Sequence, residues 1–450
     1  MYSLIIFKLP NIHIIEDLIK EKEIVIVSPN QSLPLFSLGF HQFIERTRES
    51  LNITHKLETK NDFYYVVNSF ETSISNYDDN IINLSQIYFN LSNDKTEILS
   101  TEFYKMWEIN FIFDIISNKK LSYASLGNNS NSFLQSIIYF REKMLNINID
   151  NDKIFNITDN KEKNIDPDSI KTESIKTESI KAESIKHFTG LYNINSLSKK
   201  ELIKNKKLKT TNKDVKTNKK ENKKENNKKY ANLIISNGIN NIKEQEYYKY
   251  IINEIITILS IIEIDGHCIL KLVDTFTITT IKLIWLLSDF FEESYIYKPL
   301  FSRPSESEKY LICKKFKYNN NDDLIDIVIK KLQDILKIID DENNINILFP
   351  NLDLPNELIN IFKFINIKLV NNQQIIINDI VKYIKDNNYF GDKYHEYRSK
   401  QIEATKWWVD MFFPPSNNLY ISNKESITKI IEDILNMNNL EINQFVEQLI

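Results

Sequence analysis

Glycine is the first scarcity. The 450 residues contain only six, Gly39, Gly127, Gly190, Gly238, Gly266 and Gly391, so a turn of successive glycines, where backbone can approach a ligand closely, has almost nowhere to form. Cysteine is rarer still. Cys268 and Cys313 are too few for a disulfide framework or a zinc site, and both lie in apolar, strand-like runs that fit buried small hydrophobes. The six histidines are scattered without metal-ligand spacing, so no metal is expected. Met1 to Pro10 has no basic segment leading into an apolar one, and no apolar run approaches the ~20 residues of a membrane span. The expectation is a soluble protein of a reducing compartment, cytoplasmic and without a membrane partner.

An excess of one charge is also missing. The formal net charge is −4, which argues against a bulk polyanion binder, but the balance hides a local asymmetry. From Lys199 to Lys229 there are 14 lysines against Glu201, Asp214, Glu221 and Glu225, a net of +10, so the remainder carries −14. What the chain does have is aromatic mass, 22 Tyr and 26 Phe, enough for a sizeable buried core.

Residues 1–95 mix strand-like runs, Ile24 to Val27 and Phe63 to Val67, with polar turns. From about residue 96 strands alternate with amphipathic helices, the pattern of a parallel α/β sheet. Tyr123 to Leu126 reads as a strand ending at Gly127, with a helix from about Ser132 whose Phe133, Leu134, Ile137, Ile138 and Phe140 share a face. Strands are expected at Lys153–Thr158, Asn232–Ser236, Cys268–Val273, Ser294–Tyr297 and Lys309–Phe316. Helices are expected at Tyr247–Ile262 and Thr279–Phe290. Beyond about 320 the spacing of Leu324, Ile325, Val328, Leu332, Ile335, Leu336 and Ile339 is helical. The domains are therefore 1–95, 96–320 and 321–450. In the last, Tyr394 to Pro415 packs Trp407-Trp408 and Phe412-Phe413 closely, as expected of aromatics anchoring an extension onto a core rather than stacking bases.

Two low-complexity insertions, about 160–187 and 199–229, interrupt the middle domain. The first repeats Ser-Ile-Lys-Thr-Glu from Ser169 to Lys186. A five-residue period turns ~140° per isoleucine on a helix, so these isoleucines cannot share a stripe, and disorder is expected. The second is the Lys/Asn run, disordered by composition.

The most informative stretch is Asp265-Gly266-His267-Cys268-Ile269-Leu270-Lys271, then Asp274-Thr275-Phe276-Thr277, then Lys298-Pro299-Leu300-Phe301-Ser302-Arg303-Pro304-Ser305-Glu306-Ser307-Glu308-Lys309-Tyr310. It resembles the late half of the FtsJ-like, Adrift-type RNA 2'-O-methyltransferase domain, in which a strand delivers a lysine and a Ser-Arg-Pro loop precedes a Ser-Glu-Lys-Tyr strand. Phe103-Tyr104-Lys105-Met106-Trp107-Glu108 is similar to the family's upstream helix. The resemblance spans about 100–317, and the flanks, Gly391 to Pro415 included, resemble those of homologues in large DNA viruses, which implies the virion or a viral factory as a further location. The implied fold is α/β, a Rossmann-like methyltransferase sheet with an N-terminal α+β and a C-terminal helical extension.

The resemblance further implies S-adenosylmethionine as cofactor, RNA (capped mRNA among the candidates) as partner, and a Lys-Asp-Lys-Glu tetrad. A ribose 2'-hydroxyl is a poor nucleophile, so a positioned base must take or orient its proton. A lysine can do this if a nearby ammonium and partial burial lower its pKa. Carried over, Lys105 is the first lysine, Lys271 the candidate base and Glu308 the acid that orients it. The family's aspartate falls on Asn237, which keeps the size but supplies no charge, leaving two lysines to share one carboxylate. The family's glycine-rich cofactor turn falls on Gly127, Asn128, Asn129, Ser130, Asn131 and Ser132. Asparagine tolerates the left-handed backbone region, yet these side chains are expected to occupy space the cofactor needs. The expected function is accordingly a methyltransferase-fold protein that is catalytically impaired or inactive, binding RNA or serving as an accessory subunit to a protein partner in RNA processing. The alternatives are an active mRNA cap 2'-O-methyltransferase and an unrelated α/β protein.

Because neither insertion has a stable apolar face, limited proteolysis should cut 165–187 and 203–229 before the core, and removing both should leave the melting temperature nearly unchanged. A cooperative loss of fold on removal would refute this domain plan.

Overall fold

The computed structural model describes residues 4–28, 34–57, 66–70, 98, 100–126, 131–149, 152–157, 185–188, 231–238, 243–319, 323–339, 344–387 and 391–447. The strands among them are β1 (Ile5–Lys8), β2 (Val25–Ser28), β3 (Ser122–Leu126), β4 (Lys153–Ile157), β5 (Ile185–Phe188), β6 (Ala231–Ser236), β7 (Ile262–Leu272), β8 (Phe291–Lys298), β9 (Lys309–Phe316) and β10 (Asn344–Leu348). The sheet that organises the molecule runs β1-β8-β9-β7-β6-β3-β4-β5. From β5 to β7 neighbours are parallel, while β9 lies antiparallel between β7 and β8, and β1 antiparallel against β8. A separate two-stranded ribbon pairs β10 with β2.

Both faces of this sheet are covered, which is why its central strands read as unbroken apolar runs. Side chains still alternate. Ile234, Cys268, Leu270, Leu311 and Cys313 enter one core, whereas Leu233, Ile235, Ile269, Tyr310 and Ile312 enter the other. The first core is closed by α1 (Ile15–Lys20), α5 (Glu244–Ile261), α6 (Ile278–Asp289), α7 (Asp323–Ile338) and α8 (Asn356–Lys385). The second is closed by α3 (Glu102–Phe113), α4 (Asn131–Lys143), α9 (Asp392–Phe412) and α10 (Asn417–Glu447). Helix α2 (Leu38–Glu49) is tied to the first loop after β7 by Arg48, whose guanidinium makes two hydrogen bonds of 2.7 and 2.8 Å to Asp274. The two cysteines are cross-strand partners on β7 and β9, buried as free thiols.

Two glycines are required by geometry. Gly266 sits in a bulge of β7, where an added Cβ would lie 2.7 Å from the Glu263 carbonyl. Gly238, just after β6, has φ +55° and faces the Tyr247 hydroxyl at 2.8 Å from where a Cβ would be.

Several expectations are corrected. Ile185–Phe188, placed at the end of the disordered repeat, pairs parallel with β4 as an edge strand, so the removable part of that insertion ends before Ile185; the rest of both insertions lies outside the described residues. Backbone pairing to β4 is what the composition of the repeat could not reveal. Of the strand expected at Phe63–Val67, only Val66 and Val67 are described, and they form a short helical turn. Their apolar character serves contacts with Ile380, Tyr383 and Ile384 of α8 instead of a sheet. The N-terminal region supplies a strand to the main sheet, and the C-terminal region includes β10 as well as helices.

The aromatic segment anchors α9 as expected. Trp408 packs against Phe301 at 5.1 Å and Tyr104 at 5.7 Å between ring centres, and Phe413 against Trp107 at 4.9 Å. The Trp107 indole also donates to the Phe412 carbonyl at 2.8 Å. Trp408→Ala should therefore cost about 3–5 kcal/mol in urea unfolding, and Trp408→Phe clearly less. Equal stability of the alanine variant would show that α9 is not part of the core.

Candidate active site

The strands β3, β6 and β7 are parallel, so their carboxyl ends lie at one edge of the sheet, the position where open α/β sheets place ligands. Lys271 is the penultimate residue of β7, paired across to Tyr310 of β9, and both lie on the sheet face that α3 covers. Asn237 follows β6 directly. Since Ser236 pairs with Leu270, the next step along both strands sets Asn237 beside Lys271. Lys105 comes down from α3, a helix buried on nearly every side, which ends at Asp114 in the left-handed conformation. Glu308 precedes β9.

These residues meet. The Lys105 ammonium donates to Glu308 Oε2 at 2.8 Å and Oε1 at 3.0 Å, and Lys271 Nζ is 3.3 Å from Glu308 Oε1. The Tyr310 hydroxyl donates to the same Oε1 at 2.6 Å. Side-chain exposure is 7% for Lys105, 5% for Lys271 and 8% for Glu308, so the charges sit where water screens them little. Burial alone would raise the Glu308 pKa, but Lys105, Lys271 and the hydrogen bonds outweigh it and hold the carboxyl down at about 2. For Lys105, burial works against the charge, and Glu308 and Glu102 more than offset it, keeping its pKa above the ordinary lysine value. Of the four residues named from sequence, Lys105, Lys271 and Glu308 are thus brought into contact, and strand register sets Asn237 beside Lys271.

A second set of groups, unnoticed in the sequence, fixes the first. The Tyr247 hydroxyl of α5 lies 2.9 Å from the Lys271 carbonyl and 3.1 Å from Glu254 Oε2, while Ser236 donates to the other Glu254 oxygen and accepts from the Gly238 amide at 3.3 Å. The ends of β6 and β7 are therefore locked from the face opposite the ionic cluster. Burial lifts the Glu254 carboxyl to about 7 despite these bonds. The loop from Pro299 to Ser307 is pinned by two buried lysines. Lys298 donates to the Glu306 and Glu308 carbonyls, each at 2.8 Å, and Lys309 to those of Val273 and Ser307. Burial lowers their pKa values, to about 7 and about 8. Lys298, Lys309 and Tyr310 all stood within the sequence motif, but nothing in the spacing says which lysine serves backbone and which chemistry.

Of the turn that the resemblance assigns to the cofactor, Gly127, Asn128, Asn129 and Ser130 lie outside the described residues. Asn131 opens α4. Ser132 is buried, and its hydroxyl is 2.8 Å from that of Ser100, so it is engaged with the segment before α3. Among the described residues there is no group of His, Cys, Asp and Glu suited to a metal, and no helix is long and apolar enough to cross a membrane.

Glu308→Gln gives a pH-dependent test. A carboxyl whose folded pKa lies below its ordinary 4.5 contributes stability in full above that value and loses it as pH falls toward 2. At pH 7 the substitution strips two buried ammonium groups of a shared partner and should cost about 3–5 kcal/mol. The gap from the unaltered protein should close between pH 4.5 and 2; a gap independent of pH would place the stabilisation elsewhere.

Comparison with known proteins agrees with this geometry. Residues 102–316 match the model of the FtsJ-like methyltransferase family. The cap-specific mRNA (nucleoside-2'-O-)-methyltransferase 1 of Dictyostelium discoideum is 33% identical over 124 residues, 26% of this chain and 16% of that protein. Its Homo sapiens counterpart is 35% identical over 85 residues, 19% of this chain and 10% of that protein. An uncharacterized protein of Acanthamoeba polyphaga mimivirus is 26% identical over 196 residues, 44% of this chain and 50% of that protein. The matches cover a small part of the two cap methyltransferases and half of the viral relative. The described site lies inside the matched region, and residues 102–316 are an FtsJ-like methyltransferase domain.

Proposed function

We propose that this protein is an RNA ribose 2'-O-methyltransferase acting on capped mRNA. The observation that carries the reading is the assembled cluster, with Lys271 at the strand end, 3.3 Å from Glu308, and Lys105 on the far side of the same carboxylate. Two ammonium groups facing one buried acid is a costly arrangement for structure alone, since apolar residues of equal volume fill such a space at no loss. It is an arrangement in which a lysine is held ready to act on a ribose hydroxyl. Lys271 is the residue placed to hold or take the 2'-hydroxyl proton, Glu308 orients it, and Lys105 keeps Glu308 ionised. S-adenosylmethionine, when bound, supplies the electrophilic methyl group. The family resemblance assigns the holding of it to the segment that joins β3 to α4. The cap-specific methyltransferases similar to this domain support capped mRNA as the substrate.

A second reading is favoured by the composition of that turn. Gly127 is followed by three Asn and two Ser up to Ser132, and with Asn237 this supports an impaired or inactive protein that binds RNA, or serves as an accessory subunit. Calorimetry separates the two. Micromolar binding of S-adenosylmethionine, with 2'-O-methylation of capped RNA that Lys271→Met reduces at least 100-fold, is the expected result. Absence of binding at millimolar cofactor would overturn the catalytic reading and leave the accessory one.

A further inference from the structure

The sequence leaves Lys105 and Lys271 sharing a single carboxylate, because Asn237 stands where the family has an aspartate. The structure places a second acid on the cluster. Glu102 opens α3 one turn before Lys105, and its Oε1 accepts from the Lys105 ammonium at 2.7 Å, the shortest of that ammonium's contacts to the two acids. Its other oxygen is 3.3 Å from the Tyr310 hydroxyl, which also reaches Glu308. The one Tyr310 proton goes to Glu308, so Glu102 is joined to the cluster through Lys105.

An acid in the first turn of a helix has a simpler explanation, since it favours the helix dipole and pairs at i,i+3 with a lysine. Such a pair belongs on the surface, where its partner is solvated and its contribution small. Here the partner is Lys105, 7% exposed, and Glu102 itself is 22% exposed, at the rim of the buried site. The charge count then decides. Lys105 and Lys271 outnumber Glu308 by one positive charge, and Glu102 supplies a matching negative one.

We propose that Glu102 carries the negative charge that Asn237 does not supply, a relocated acid that neutralises Lys105 and leaves Glu308 to orient Lys271. Glu102 is a positioning residue acting through Lys105. The proposal rests on the catalytic reading for its functional meaning, but the charge relocation itself is tested without activity. It also changes what Asn237→Asp does. With Glu102 in place the aspartate is a third acid among two lysines, so the substitution alone adds an unmatched negative charge.

The experiment is a double-mutant cycle on the full chain, with Glu102→Gln, Asn237→Asp and the pair compared by urea unfolding at pH 7. Each single change should raise the unfolding equilibrium constant, and the pair should recover it, a non-additivity of roughly tenfold or more. Glu102→Asp, which keeps the charge, should lie close to the unaltered protein. Additive effects, or a Glu102→Gln variant as stable as the unaltered protein, would overturn the proposal. Should Glu102→Gln fail to fold, folding of the double variant supports the relocation and its failure refutes it. Methyl transfer is read alongside: Glu102→Gln should lower kcat with KM little changed, and the double variant should recover it. If no variant methylates RNA while the stability cycle still shows rescue, the proposed function falls and the charge relocation stands.

Discussion

Two ammonium groups can share a dry site only if an acid is held between them, and the structure around Glu308 follows from that constraint. Its loop is tied at both ends by lysines that give their protons to backbone carbonyls rather than to acids. Tyr310, two residues on, donates to it within the same strand register that brings Lys271 alongside. A carboxylate this well supplied with donors stays ionised through the whole physiological range, so the lysines around it are permanently oriented.

The same logic extends one turn further along α3. Glu108 is buried and lifted to about 7 by that burial, although the Leu300 amide, the Tyr297 hydroxyl and the Trp408 indole all donate to it. Through one carboxylate the helix that carries Lys105 is fixed to β8, to the loop before Glu308 and to α9. The C-terminal extension is therefore not an appendage to a self-sufficient domain. Its aromatic face completes the core from which the first lysine projects.

Much of this was legible in the sequence for identifiable reasons. The alternation of strands and helices from β3 to β9 follows periodicity, and Lys105, Lys271 and Glu308 stood in motifs dense enough to place them. The aromatic run at Trp407 to Phe413 announced an anchored extension. What escaped was whatever depends on pairing between distant segments. The strand Ile5–Lys8 matters only because β8 lies beside it, and Ile185–Phe188 gains its conformation from β4. Val66 and Val67 looked like a strand because contact with α8 and contact with a sheet demand the same apolar side chains. Glu102 escaped for a similar reason, since a glutamate opening a helix is unremarkable until the buried Lys105 is seen to close on it. The buried Tyr247–Glu254–Ser236 lock carries no sequence signal at all, being assembled from two strands and a helix.

The depth at which α3 lies has a consequence in time. Its Trp107 and Phe111 are covered by Phe412, Phe413 and Tyr420, some three hundred residues later in the chain. As the polypeptide emerges, the sheet from β3 to β9 can pair while this helix still lacks the partners for its outer face. The outer face of the helix that carries Lys105 is therefore complete only once the chain has been made to beyond residue 420, whereas the acids that meet Lys105 are all in place about a hundred residues earlier.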